Sequence, residues 1–162
     1  MNKTLLRILA TGGTFDKTYD PISGRLVLNQ SYLKEIITQC RITLPIALEE
    51  LPLMDSLHMQ ESDRTHILDC CRKAKENFIV ITHGTDTICE TAHVLGHAKL
   101  KKTIVLTGAM IPYTIRNSDA LFNLGVAIGA VQSLPPNVYI GMNGKLFIWD
   151  AVHKNRTLGI FE

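Results

Sequence analysis

The apolar residues of this chain fall into short dense runs, each ending on a polar cluster and then giving way to a stretch with helical spacing. The clearest case runs from Phe78 to His97: Phe78, Ile79, Val80 and Ile81, then Thr82-His-Gly-Thr-Asp-Thr87, then Ile88, Ala92, Val94 and Leu95. Four consecutive apolar residues predict a strand buried on both faces, as in a parallel sheet. Thr87 with Glu90 three residues on has the form of a capping box for the helix that follows. Hydroxyls and a carboxylate therefore stand where a strand's carboxyl end meets a helix's amino end, the edge at which open α/β sheets bind ligands.

The same alternation fills the rest of the chain. Leu5 to Ala10, interrupted only by Arg7, runs into Thr11-Gly-Gly-Thr14, a strand and a loop whose paired glycines let the backbone turn sharply beside a ligand. Phe15 to Arg25 carries Tyr19 and two turn signals, Asp20-Pro21 and Ser23-Gly24, and predicts a mobile hairpin or lid. A short strand at Leu26–Leu28 and a helix from about Ser31 to Cys40 follow. Ile42 to Leu53 predicts a strand, Met54 to His58 a second polar loop end, and Ser62 to Lys75 a solvent-facing amphipathic helix. Lys99, Lys101 and Lys102 suit the carboxyl end of the helix after Thr87.

Thr103 to Leu106 predicts another strand, with Thr107 to Thr114 as its loop. A helix then starts at the N-cap pair Ser118-Asp119 and ends near Ser133, and its Gly125 and Gly129 predict close helix packing. Val138 to Ile140 is a strand, Asn143-Gly144 a hairpin turn before Leu146 to Trp149, and Asp150 to Glu162 a polar tail. Strands alternating with helices in this way predict an α/β fold: a flavodoxin-like open, mostly parallel sheet with helices on both faces. With no repeat or linker composition, residues 1–162 read as a single domain.

Composition narrows the function classes. With 17 basic and 15 acidic residues, the net charge of +2 offers no electrostatic case for nucleic acid or an anionic membrane. Cys40, Cys70, Cys71 and Cys89 form no CxxC pair and read as reduced, mostly buried thiols. The amino-terminal apolar run is too short for a signal peptide or a membrane span, so a cytoplasmic location is expected. The Asn-x-Thr/Ser matches at Asn2, Asn29 and Asn155 then carry no weight.

Familiar sites are missing: GxGxxG, GxxxxGK[ST] and GxSxG do not occur. His93 and His97 lie one helical turn apart, without the glutamate of a zinc-protease motif or a third ligand nearby, and read as surface or packed histidines, as do His58 and His66. What remains is a set of threonines at strand ends: Thr11, Thr14, Thr82, Thr85, Thr87 and Thr107. A threonine hydroxyl becomes a nucleophile once a base takes its proton and backbone N–H groups receive the oxyanion. A desolvated lysine can be that base.

Three motifs in order, Thr11-Gly-Gly-Thr14-Phe, His83-Gly-Thr85-Asp86-Thr87 with Glu90-Thr-Ala, and Gly108-Ala-Met-x-Pro with Ser118-Asp119 and Asn123-Leu124, resemble the bacterial-type L-asparaginase family. The resemblance covers nearly the whole chain but only that family's larger, amino-terminal domain. It implies hydrolysis of L-asparagine, with L-glutamine as a second amide, to the acid and ammonia without metal or cofactor. By motif it implies Thr14 as nucleophile, Thr85 as the second threonine, Lys154 as the base, Asp86 as acceptor of the substrate's α-ammonium, and Tyr19 as a lid tyrosine that assists Thr14. Ser56 is implied for the α-carboxylate, and Gly13, Gly84 and Ala109 as further substrate-binding positions. The family often has a polar side chain at the position held here by Leu57.

The family's smaller carboxyl-terminal domain has no counterpart in these residues. A naturally short-form asparaginase-like protein is therefore expected, with a gene fragment as the alternative, and as a homodimer or homotetramer that covers the exposed surface. A dicarboxylic amino-acid-binding module without turnover is the alternative, but a pure binder needs Asp86 and Ser56 rather than two reactive threonines. A fragment of a tRNA amidotransferase subunit is disfavoured by the near-neutral charge, and a generic flavodoxin-like ligand binder would be met by Thr11 to Thr14 alone.

Overall fold

A computed structural model describes residues 6–162, so the predicted strand start at Leu5 and the Asn2 match lie outside the described residues. The strands are β1 (Leu6–Gly12), β2 (Lys17–Asp20), β3 (Arg25–Leu28), β4 (Ile46–Met54), β5 (Phe78–Thr82), β6 (Thr103–Thr107), β7 (Asn137–Met142), β8 (Lys145–Ile148), β9 (Lys154–Asn155) and β10 (Ile160–Phe161). The helices are α1 (Leu33–Gln39), α2 (Glu61–Lys73), α3 (Ile88–His97) and α4 (Ala120–Val131).

Six strands form the central sheet in the order β4-β1-β5-β6-β7-β8. The first five are parallel, and β8 returns antiparallel to β7. Counted among themselves, the parallel strands follow the 2-1-3-4-5 order of the flavodoxin-like fold. Side chains alternate across the sheet as the pleat requires. Leu9, Ile79, Ile81, Ile104 and Leu106 pack with Ile67 and Cys71 of α2 and Ile88 and Leu95 of α3. Ile8, Val80 and Val105 pack on the other face with Leu33 and Ile36 of α1 and Leu124 and Ala127 of α4. Two such cores explain the unbroken apolar runs of β5 and β6.

Several local expectations change. β4 passes through Pro52, which is tolerated because β4 is an edge strand and needs fewer ladder donors. Asn143 and Gly144 both take positive φ, 49° and 84°, as a two-residue turn between β7 and β8 demands. The capping box at Thr87 does not form; the Thr87 hydroxyl donates to the Ser56 carbonyl instead. A box of that kind caps α2, between Gln60 and Asp63. Lys102 serves α2 rather than α3, donating to the carbonyls of Ala74 and Glu76. Gly125 and Gly129 face outward and meet no neighbouring atoms, so they do not mark close helix packing. Of the four thiols, all unbridged, only Cys71 is buried; Cys40 is exposed and the other two are half-buried.

Candidate active site

The carboxyl ends of β1, β4, β5 and β6 converge because glycines remove the side chains that would hold their loops apart. Gly13 has φ 73°, and a Cβ there would lie 2.3 Å from the Gly84 Cα. A Cβ on Gly84 would lie 2.5 Å from the Ser56 Oγ, and one on Gly108 would lie 2.5 Å from the His83 carbonyl. So the loops after β1 and β5 touch backbone to backbone, with the Ser56 turn on one side and the Gly108 loop on the other. Strands β1 and β5 flank the point where strand order reverses, which is where the fold class places ligands.

Hydrogen bonds fix these loops and sort the threonines. Thr11 donates to the Thr82 carbonyl and Thr107 to that of Gly141, so both hydroxyls bind neighbouring strands. Thr82 is fully buried, its hydroxyl without a partner among the described residues. Thr87 binds Ser56 twice: its N–H donates to the Ser56 Oγ at 3.3 Å and its hydroxyl to the Ser56 carbonyl at 2.9 Å. Thr14, half-buried, opens a 3-10 turn, Thr14–Asp16, directly after the glycines. Thr85 is buried and faces the lysine.

Lys154 reaches Thr85 from the far end of the chain. The tail is not loose: β9 and β10 pair as a small hairpin, and Phe161 enters the core on the α2–α3 face. That hairpin holds Lys154 with its side chain only 11% exposed. Its Nζ donates to the Thr85 Oγ1 and to the Asp86 Oδ1, each at 2.8 Å. Arg156, which the sequence did not single out, donates to the Asp86 carbonyl at 3.1 Å and brings Nη1 to 3.8 Å from the same Oδ1. A second cation two residues after the lysine was the available signal.

The supporting residues are more polar than the sequence suggested. His83 is fully buried; its Nδ1 donates to the Gly84 carbonyl, and Nε2 accepts from the Thr91 hydroxyl, both at 2.8 Å. Desolvation lowers its pKa to about 4, so the ring is neutral and braces the Gly84–Thr85 peptide. Asp119 was expected as a helix cap, yet its carboxylate instead accepts from the N–H groups of Met110 and Ile111 and from Asn123 and Asn143. Burial pushes that carboxyl up, but the donated N–H groups outweigh it and hold it below the usual range. Asp55 meets Lys17 at 2.6 Å, tying the Ser56 turn to the base of the β2–β3 hairpin.

Three candidates stand differently from their expected parts. The N–H of Gly13 is committed to the Met54 carbonyl, so this glycine contributes close approach rather than a donor. Ala109 is fully buried in the α1–α4 core, which leaves only its main chain to face a ligand. Tyr19 lies on the hairpin, 59% exposed, and no hydrogen bond among the described residues joins it to Thr14, Thr85 or Lys154. His93 and His97 pack edge-on against Trp149. Among the described residues no three His, Cys, Asp or Glu side chains gather into a metal-binding set, and no helix is long and apolar enough to cross a membrane.

Comparison with known proteins agrees with this fold. The L-asparaginase of Thermococcus kodakarensis is 30% identical over 160 residues, covering 96% of this chain and 49% of that protein. L-asparaginase 1 of Escherichia coli is 31% identical over 157 residues, covering 91% and 46%. A Haemophilus influenzae protein named probable L-asparaginase periplasmic is 30% identical over 171 residues, covering 96% and 47%. The solved structure of the thermostable T. kodakarensis enzyme superposes with a TM-score of 0.85 at 29% identity, over 97% of this chain and 50% of that one. This chain thus spans about half the length of the relatives it matches. The family profile described as Asparaginase, N-terminal, matches residues 5–160, and the chain belongs to that family.

Proposed function

We propose that this domain carries the site of an amidohydrolase that converts L-asparagine to L-aspartate and ammonia. The observation that supports it most is the Lys154 amine, desolvated and 2.8 Å from the Thr85 hydroxyl. In the reaction the Thr14 Oγ attacks the side-chain amide carbon, its proton passing toward the Thr85–Lys154 pair. The C–N bond then breaks, the nitrogen takes a proton and leaves as ammonia, and water hydrolyses the acyl-threonine to release aspartate. As the base the amine takes up the proton that Thr14 gives up, relayed through the Thr85 hydroxyl.

Binding follows from the same residues. The Ser56 Oγ accepts from the Thr87 N–H, so its own proton remains for a substrate carboxylate. Both cations near Asp86 approach Oδ1, and Oδ2 is the oxygen offered to an ammonium. L-Glutamine is the second amide of the proposal. A homodimer or homotetramer belongs to the same reading, supported by the exposed Leu57, Met110, Ile111 and Leu158 on the loops around this edge. Four unbridged thiols support a reducing compartment, the cytoplasm.

Ammonia release from L-asparagine by the purified protein tests the reading, with L-glutamine in parallel. Release is expected from wild type and is expected to vanish in Thr14→Ala and Thr85→Ala variants whose melting temperatures stay near wild type. Unchanged release by a folded Thr14→Ala variant would remove the nucleophile assignment.

A further inference from the structure

We propose that Asp16 is a positioning residue: its carboxylate fastens the Thr14 turn to the start of α1, across the base of the β2–β3 hairpin, and so sets where the nucleophile stands. This rests on the assignment of Thr14 above and extends it to a side chain the reaction does not touch.

Thr14, Phe15 and Asp16 form a single 3-10 turn, closed by the Asp16 N–H on the Gly13 carbonyl. Asp16 is fully buried. Its Oδ1 accepts from the Tyr32 N–H at 2.9 Å and faces the Ser31 hydroxyl at 3.3 Å. Those partners lie beyond the whole hairpin in sequence, so this one oxygen joins the segment entering β2 to the segment leaving β3. Phe15 and Lys17 are held as well, their carbonyls accepting from the Tyr113 N–H and the Thr114 hydroxyl. The turn is therefore pinned on both sides of Asp16, and the hairpin projects beyond it.

What sets Asp16 apart is its other oxygen. Oδ2 is buried and has no hydrogen-bond partner among the described residues. Asp55 and Asp86 meet lysines, and Asp119 meets several N–H groups, but Asp16 sits in the core with half of its carboxylate unmatched. Burial raises its pKa to about 6 against the donation from Tyr32 and Ser31, and Glu50 on β4 pushes the same way. Lys17, the next residue, is turned to Asp55, and the start of α1 offers only neutral donors. An asparagine would fit the same space, keep the acceptor for Tyr32 and lose the charge. A charged group held where a neutral one fits costs stability at neutral pH, and such local conflicts gather at functional sites.

The sign is specific. A folded-state pKa above the unfolded value means that Asp16 favours folding below about pH 4 and loses that contribution as pH rises through about 6. Asp16→Asn should therefore raise the melting temperature at pH 8, with the gain vanishing toward pH 4. A residue that only stabilises the fold would do the reverse.

The experiment follows the Thr14 methyl by NMR against pH, with melting temperature and ammonia kinetics, in wild type, Asp16→Asn and Ser31→Ala. In wild type the methyl should titrate near pH 6. Ser31→Ala, which removes one donor to the carboxylate, should move that midpoint up by about half a unit. Asp16→Asn should abolish the titration, raise the pH 8 melting temperature and lower kcat roughly tenfold with KM little changed. A Thr14 methyl that does not titrate, or one whose midpoint ignores Ser31→Ala, would overturn the proposal even if Asp16→Asn failed to fold. These two readouts need no turnover. Their failure in a protein that releases ammonia sinks the positioning role alone, whereas normal titration without ammonia release sinks the hydrolase reading alone.

Discussion

The loops after β1 and β5 leave adjacent strands, touch at Gly13 and Gly84, and each buries one titratable side chain, but they treat it in opposite ways. In the β5 loop both nitrogens of His83 are matched, one by a carbonyl and one by a hydroxyl, and the ring is neutral. In the β1 loop Asp16 is half matched and carries a carboxyl whose pKa burial lifts to about 6. One wall of the site is therefore settled, holding Thr85 against Lys154. The other is poised, holding Thr14 through a group whose charge works against the fold.

The hardest way to break this arrangement is to part the two loops. Gly13→Ala adds a Cβ 2.3 Å from the Gly84 Cα at a residue with positive φ, so backbone must move. The expected result is a loss of about 100-fold or more in turnover and a destabilisation of several kcal/mol, read by ammonia release and urea unfolding. A smaller effect separates the walls by their protons. His83 has a folded pKa below its unfolded value, so its contribution is present above pH 6.5 and lost as pH falls to about 4. That amounts to about 3 kcal/mol, and Asp16 contributes a similar amount of opposite sign across nearly the same window. In wild type the two contributions act in opposite directions. In His83→Asn, urea stability should fall as pH rises from 4 to 6.5; in Asp16→Asn it should rise. Parallel slopes in the two variants would show that the walls do not differ as described.

The strands and helices were legible because two-sided burial writes continuous apolar runs, and Ile79, Val80 and Ile81 each face a core. Thr85, Asp86 and Lys154 were legible through motif resemblance, and the structure brings them within hydrogen-bonding distance. Spacing alone would not have joined Lys154 to Thr85, because a two-strand hairpin too short to leave a period in the sequence carries it there. Thr87 and Glu90 matched a cap, but a tertiary partner, the Ser56 carbonyl, took the hydroxyl. Asp119 likewise looked like a cap and became the organiser of the Gly108 loop, since two N–H groups eight and nine residues earlier in sequence reach it. Asp16 was invisible for a plainer reason. A single acidic residue among turn signals reads as solvated, and only the packing of Phe15 and α1 around it shows that it is buried.

The proposed hydrolysis depends most on the Lys154 amine, 2.8 Å from the Thr85 hydroxyl, acting as the base. Ammonia release from L-asparagine should be measured for wild type and Lys154→Met, with melting temperatures showing that both are folded. The predicted result is a variant rate lower than that of wild type by about 10²- to 10⁴-fold. A folded Lys154→Met protein that turns over at the wild-type rate would contradict it.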